Sequence, residues 1–192
     1  MKRLLFGAVL GGIILFIWGW LSWSVFPIHT ASLRNINNED AVISAMHVNM
    51  DQKGVYVFPG MPTSQDPAVM EEWSQKYQQG PVGMIIYDPD GSEPMMPAQM
   101  IVGIIISILA SYLASWFLSR STAVTSSYFA RVAYCGMLGI FVSLVSHLVN
   151  WNWMGYPLDY TMAWIMDAVI GWLLAGLGIA SIVKTPKPQE QA

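Results

Sequence analysis

Charge is scarce in this chain. Nine Lys and Arg with 12 Asp and Glu make up 11% of 192 residues, about half the charged share of a soluble domain. The net charge of −3 supplies no electrostatic footprint for nucleic acid, which is not expected as a partner. Cysteine is scarcer still. With Cys135 as the only one, neither a disulfide framework nor a Cys metal site or redox pair can be built within the chain, and a lone thiol inside an apolar run reads as a small packing residue. No glycine-rich phosphate loop and no strand–nucleophile–helix elbow occurs, so no catalytic residues are assigned.

Apolar residues, by contrast, make up 54% of the chain, and they gather in four runs at 4–26, 100–118, 128–149 and 162–183. Each is about as long as the ~20 residues a helix needs to cross ~30 Å of hydrocarbon. None alternates as barrel strands do, and in lipid a helix satisfies every backbone polar group within its own segment. The expectation is an all-α membrane protein with four transmembrane helices. The first run follows a basic start, as in a secretory signal, but it exceeds the roughly 7–15 apolar residues of a signal core. PIHTAS beyond it offers no small-x-small cleavage site; the run is expected to remain as an anchor.

Lys2, Arg3, Arg120, Arg131, Lys184 and Lys187 all fall on one side of the four-helix arrangement, which the positive-inside rule makes cytoplasmic. That predicts a multi-pass protein of the bacterial inner membrane with both termini cytoplasmic. The domains are then 1–26 (start and first helix), 27–99 (extracytoplasmic), 100–183 (three further helices) and 184–192 (cytoplasmic tail).

Segment 27–99 reads as a small α+β domain inserted between helices 1 and 2. Asn37 or Asn38 can cap a helix bearing Glu39 and Asp40 in its first turn. GVYVFPGMP reads as a short strand. Asp66-Pro67 starts a second helix ending at Gly80, and VGMIIYDPDG makes a second strand that leads into a turn. A unit this small is marginal alone and is expected to lean on the helices or on a partner.

GVYVFPGMP, MIIYDPDGSEPMMPAQMIVG and the closing DAVIGW together resemble a group of bacterial four-helix integral inner-membrane proteins with no assigned function, over most of the chain. In those relatives an asparagine often precedes the methionine and a basic residue the glycine of the last part of the second motif. Gln99 and Val102 stand there in this chain. The resemblance implies no catalytic residue, cofactor or substrate.

Small residues mark where helices approach closely in lipid. Gly103, Ser107, Ser111, Ser115 and Ser119 step by four along the second helix, Gly7 and Gly11 along the first, Gly139, Ser143 and His147 along the third, and Gly171 and Ala175 along the fourth. A tightly packed bundle is expected, with a docking face for another subunit as the sharper alternative. Asp167 is the one acid inside an apolar run, an expensive group unless paired and a candidate functional site by default. His147 is its expected partner. HLVNWNWMGYPLDY, residues 147–160, otherwise reads as an interfacial hinge: its tryptophans and tyrosines suit the headgroup zone, and Asn150 and Asn152 close the helix. Asp167, His147 and Asn150 are the buried polar candidates.

Met46, Met50, Met61, Met70, Met84, Met95 and Met96 lie outside the runs with His29 and His47 nearby. Thioethers and imidazoles suit Cu(I), but methionine also fills irregular contacts, so no metal and no cofactor is assigned. The function these features favour is non-enzymatic: an accessory or assembly component that meets the bilayer and other membrane proteins, or itself, through its outer domain and small-residue faces. The alternatives are a small membrane-embedded transporter or enzyme using Asp167 and His147, and an extracytoplasmic copper-handling protein.

Overall fold

The computed structural model describes residues 2–121 and 127–185; residues 186–192 of the expected tail, Lys187 among them, lie outside the described residues. Four helices are long and apolar enough to cross a membrane, the pattern of a multi-pass protein: Lys2–Ser24, Pro97–Arg120, Tyr128–Met154 and Leu158–Ile182. In chain order the elements are α1 (Lys2–Ser24), a 3-10 turn (Thr30–Ser32), α2 (Glu39–Asn49), β1 (Gly54–Phe58), α3 (Pro67–Gln79), β2 (Gly83–Tyr87), α4 (Pro97–Arg120), α5 (Tyr128–Val142), a π turn (Ser143–His147), α6 (Leu148–Met154) and α7 (Leu158–Ile182). The chain forms two compact units. One takes in the residues up to Leu33 and from Met95 onward, and the other is Arg34–Pro94. The expected domain edges at 27 and 99 therefore move inward, and His29, Met95 and Met96 belong with the long helices.

In the helical unit α1 packs on α4 and α7, α7 packs on α1 and α5, and α4 barely meets α5. The order is a row, α4–α1–α7–α5. Glycine permits these close approaches. A Cβ on Gly12 would sit 2.6 Å from the Cα of Ile108, and one on Gly139 would sit 2.7 Å from the carbonyl oxygen of Ala168, so backbone lies against backbone at both crossings. Gly7 faces Ser115 and Val183, Gly11 faces Ser111 and Ile179, and Gly171 faces Trp18 and Leu15. Ala175 is fully buried in the core that Ala114, Leu118, Cys135, Ile179 and Val183 complete.

The small-residue steps thus pair helices of the same chain rather than forming an open face, with one exception. Gly103 and Ser107 stay half-buried and line a groove of about 690 Å³ between α1 and α4, which Phe16, Trp20 and Met100 also border.

The contacts of Gly7 bring the start of α1 to the ends of α4 and α7. Arg131 joins them from α5: its Nη2 donates to the Ala180 carbonyl at 3.1 Å, and Tyr128 donates to the Leu177 carbonyl at 2.9 Å. The Ala180 carbonyl is one of the last-turn acceptors of α7 that no N–H within the helix reaches. Arg131, expected as a flanking charge, is accordingly a buried helix cap.

The Arg34–Pro94 unit is built on local signals. Asn38 Oδ1 accepts from the Ala41 N–H at 3.2 Å to start α2, and Asp66 Oδ1 accepts from the Ala68 N–H at 2.8 Å to start α3, with Pro67 at its first position. Strands β1 and β2 pair antiparallel, with Val55 opposite Ile86 and Val57 opposite Met84. Because side chains alternate along a strand, those four share one face, and all four are exposed. The other face carries Tyr56, Ile85 and Tyr87; Tyr87 hydrogen-bonds Nδ1 of His47 on α2 at 3.0 Å. Tyr87 is the only buried side chain of this unit.

Candidate functional site

Asp167 lies on α7 between Ala163 and Gly171, so its side chain points toward neighbouring helices, and it keeps only 16% exposure. Its Oδ2 stands 3.7 Å from Nε2 of His29. The chain delivers that imidazole by turning back just after α1: the N–H groups of Val25 and Phe26 both donate to the Leu21 carbonyl. The Thr30–Ser32 turn then fixes His29 further, with Ser32 Oγ donating to the His29 carbonyl at 2.8 Å. His29 is fully buried. Its ring stacks on Trp23 at 4.0 Å and 6° and meets the edge of Trp164 at 5.2 Å. Trp18 Nε1 donates to the main-chain carbonyl of Asp167 at 3.1 Å. Neither ring nitrogen of His29 and not Oδ1 of Asp167 has a hydrogen-bond partner, a costly state for buried polar atoms. At 3.7 Å the two groups stand at ion-pair rather than hydrogen-bond distance.

The expected pairing of Asp167 with His147 is therefore corrected: the imidazole at ion-pair distance is His29. On an uninterrupted α-helix His147 would follow Gly139 and Ser143 onto the α7 contact. The wide turn at Ser143–His147 changes the helical phase there, while Gly139 and Ser143 stay buried. His147 packs instead on the ring of Trp164, 5.7 Å between centroids.

With Asn150 it lines a cavity of about 180 Å³ whose other walls are Ser146, Tyr156, Tyr160, Thr161 and Trp164. Trp164 is thus common to both arrangements, with His29 against it and the cavity beside it. Asn150 and Asn152 do not close the helix, which runs on through Met154 to Gly155, whose φ of 68° forms the left-handed end. Trp151 and Trp153 stay exposed.

No family model, curated protein or solved structure matches this chain.

The seven methionines considered for copper do not form one set. Met46, Met50, Met61, Met70 and Met84 belong to the Arg34–Pro94 unit, and Met95 and Met96 to the helical unit. Their histidines are engaged elsewhere, His47 with Tyr87 and His29 with Trp23 and Asp167. Among the described residues no group of three or more His, Cys, Asp or Glu side chains is placed to hold a metal ion.

Sequence reasoning missed His29 as the partner of Asp167, and it missed Trp164 and Tyr160 as cavity walls. The available signal was weak: a histidine three residues past the end of an apolar run, in PIHTAS, beside a tryptophan-rich helix end.

Proposed function

We propose that this chain is a non-enzymatic, multi-pass protein of the bacterial inner membrane, an accessory component that binds another membrane protein through residues 34–94. The supporting observation is the open β-sheet face. Val55 and Ile86 are 62% and 78% exposed and lie opposite each other, with Val57 and Met84 beside them. A contiguous apolar patch on a unit whose only buried side chain is Tyr87 marks an interaction surface. The small-residue ladders, the other surface expected to dock, are occupied within the chain at Ser111 and Ser115. Orientation rests on Lys2, Arg3, Arg120 and Lys184 beside the ends where α1 starts and α4 and α7 finish; basic residues stay cytoplasmic, which puts residues 34–94 outside.

A photo-crosslinking residue placed at Val55 or Ile86 in cells should give one discrete protein adduct that Ile86→Lys at the unlabelled position abolishes. The same probe at Glu71, exposed on α3, should give none. An adduct of twice the chain's own mass makes the partner a second copy. Equal labelling at Glu71 and at the sheet face would overturn the reading.

A further inference from the structure

The cavity beside Trp164 belongs to the helical unit, and its chemistry is specific. Tyr156 and Tyr160 lie 5.6 Å apart at 72°, and Tyr160 and Trp164 lie 6.2 Å apart at 71°. Consecutive walls therefore stand nearly at right angles. A corner of that shape offers ring faces from more than one side to a compact group, whereas a flat sugar ring needs one broad parallel platform. Ring faces carry negative potential and attract cations. Among the described residues no Lys or Arg lines the cavity, so no permanent positive charge there favours an anion. The carboxyl of Asp167 lies about one helical turn along α7 from Trp164.

Ser146, Asn150 and His147 supply hydrogen-bonding groups, and the π turn that presents them is a local distortion of a kind common at binding sites. The volume of about 180 Å³ is smaller than the roughly 300–1,000 Å³ of pockets for drug-sized ligands, as suits a single headgroup.

We propose that the cavity walled by Tyr156, Tyr160 and Trp164 binds an ammonium group, either the amine headgroup of a phospholipid or a small free amine. The rings hold the charge, and Asn150 and Ser146 accept its N–H donors where it has them.

Native mass spectrometry of the full chain in detergent tests this, with phosphatidylethanolamine and phosphatidylglycerol of identical acyl chains as probes. Calorimetry with tetramethylammonium chloride supplies the free-amine arm. The chain should retain phosphatidylethanolamine at least about tenfold more tightly than phosphatidylglycerol, and Tyr160→Leu should weaken it by about tenfold, the scale of one cation–π contact. Tyr160→Phe, which keeps the ring, should hold affinity, as should Tyr112→Leu on α4. Should Tyr160→Leu not fold, Tyr156→Leu removes another wall and carries the same expectation. Binding of tetramethylammonium with no preference between the lipids supports the ammonium site and assigns it to a soluble amine. Equal retention of both lipids without tetramethylammonium binding overturns the proposal, as does wild-type affinity in a folded ring-deletion variant.

Discussion

The two units of this chain are held by opposite means. Between the long helices, order comes from long-range contact. Gly12 and Gly139 let backbones touch, and a core of Ala114, Leu118, Cys135, Ala175, Ile179 and Val183 closes around them. In the Arg34–Pro94 unit, order comes from neighbours in sequence: an Asn cap, an Asp-Pro helix start, a five-residue strand pair and one buried tyrosine. The first is specified by what is small, the second by what turns. Equivalent substitutions should therefore have unequal consequences.

The largest expected difference is between two glycines. Gly139→Val would place a Cβ 2.7 Å from the Ala168 carbonyl oxygen and 2.9 Å from the Cα of Val169. Neither belongs to a movable side chain, so α5 and α7 must separate, at a cost of at least about 3 kcal/mol. Gly60→Val would meet nothing within 4 Å and should change stability by less than about 0.5 kcal/mol. Thermal unfolding of both variants in detergent measures the contrast. A tolerated Gly139→Val would show that α5 and α7 do not cross as closely as described.

A smaller effect separates the two histidines at the tryptophan-rich end of the helical unit. Removing one member of the His29–Asp167 pair leaves the other buried without a charged partner, which costs roughly 1–3 kcal/mol. In a double-mutant cycle on full-length protein, His29→Leu and Asp167→Leu should be non-additive by about 1 kcal/mol or more. His147→Leu and Asp167→Leu should add within about 0.5 kcal/mol. The reverse pattern would restore His147 as the partner. Asp167→Asn adds a functional arm: it keeps shape and hydrogen-bonding capacity but holds no exchangeable proton of the carboxyl kind, so normal cellular function in a folded Asp167→Asn makes the pair structural.

What could be read beforehand follows the same division. The four long helices were legible because a run of about 20 apolar residues is itself a physical requirement of crossing hydrocarbon. The caps at Asn38 and Asp66 were legible because a cap acts on N–H groups two or three residues away. Half of the small-residue faces were legible as well: Gly7, Gly11, Ser111 and Ser115 meet at one helix pair, but four-residue steps did not pick out Gly12, Gly136 or Gly176, which make equally close contacts. Nor did they tell that the same ladder opens into a groove at Gly103 and Ser107. The site was least legible. His29 meets Trp164 across 135 positions of sequence, and a π turn interrupts the third long helix at Ser143–His147, a change of helical phase that no residue type announces.

The smallest expected effect belongs to the local unit and concerns Lys53 and Asp88, paired at 2.6 Å beside the two strands. Hydrogen bonding to Lys53 holds the Asp88 carboxyl below the usual carboxylate range against desolvation, which raises it, with the Asp90 N–H and the lysine charge assisting. The same hydrogen bond holds the Lys53 ammonium above its ordinary value. A lowered carboxyl contributes stability above its unfolded value and loses it as pH falls through the folded one. A raised ammonium contributes below its unfolded value and loses it as pH rises through the folded one. The pair therefore supports the hairpin only between those two limits, and weakly, because both side chains are open to water and salt. NMR titration of the full chain should show the Asp88 carboxyl titrating below an ordinary aspartate and moving up toward it in Lys53→Met, with chemical shifts of the long helices unchanged. High salt should shrink the difference. An Asp88 midpoint indifferent to Lys53→Met would mean that the contact does not persist in solution, and that turn geometry and strand pairing alone hold the hairpin.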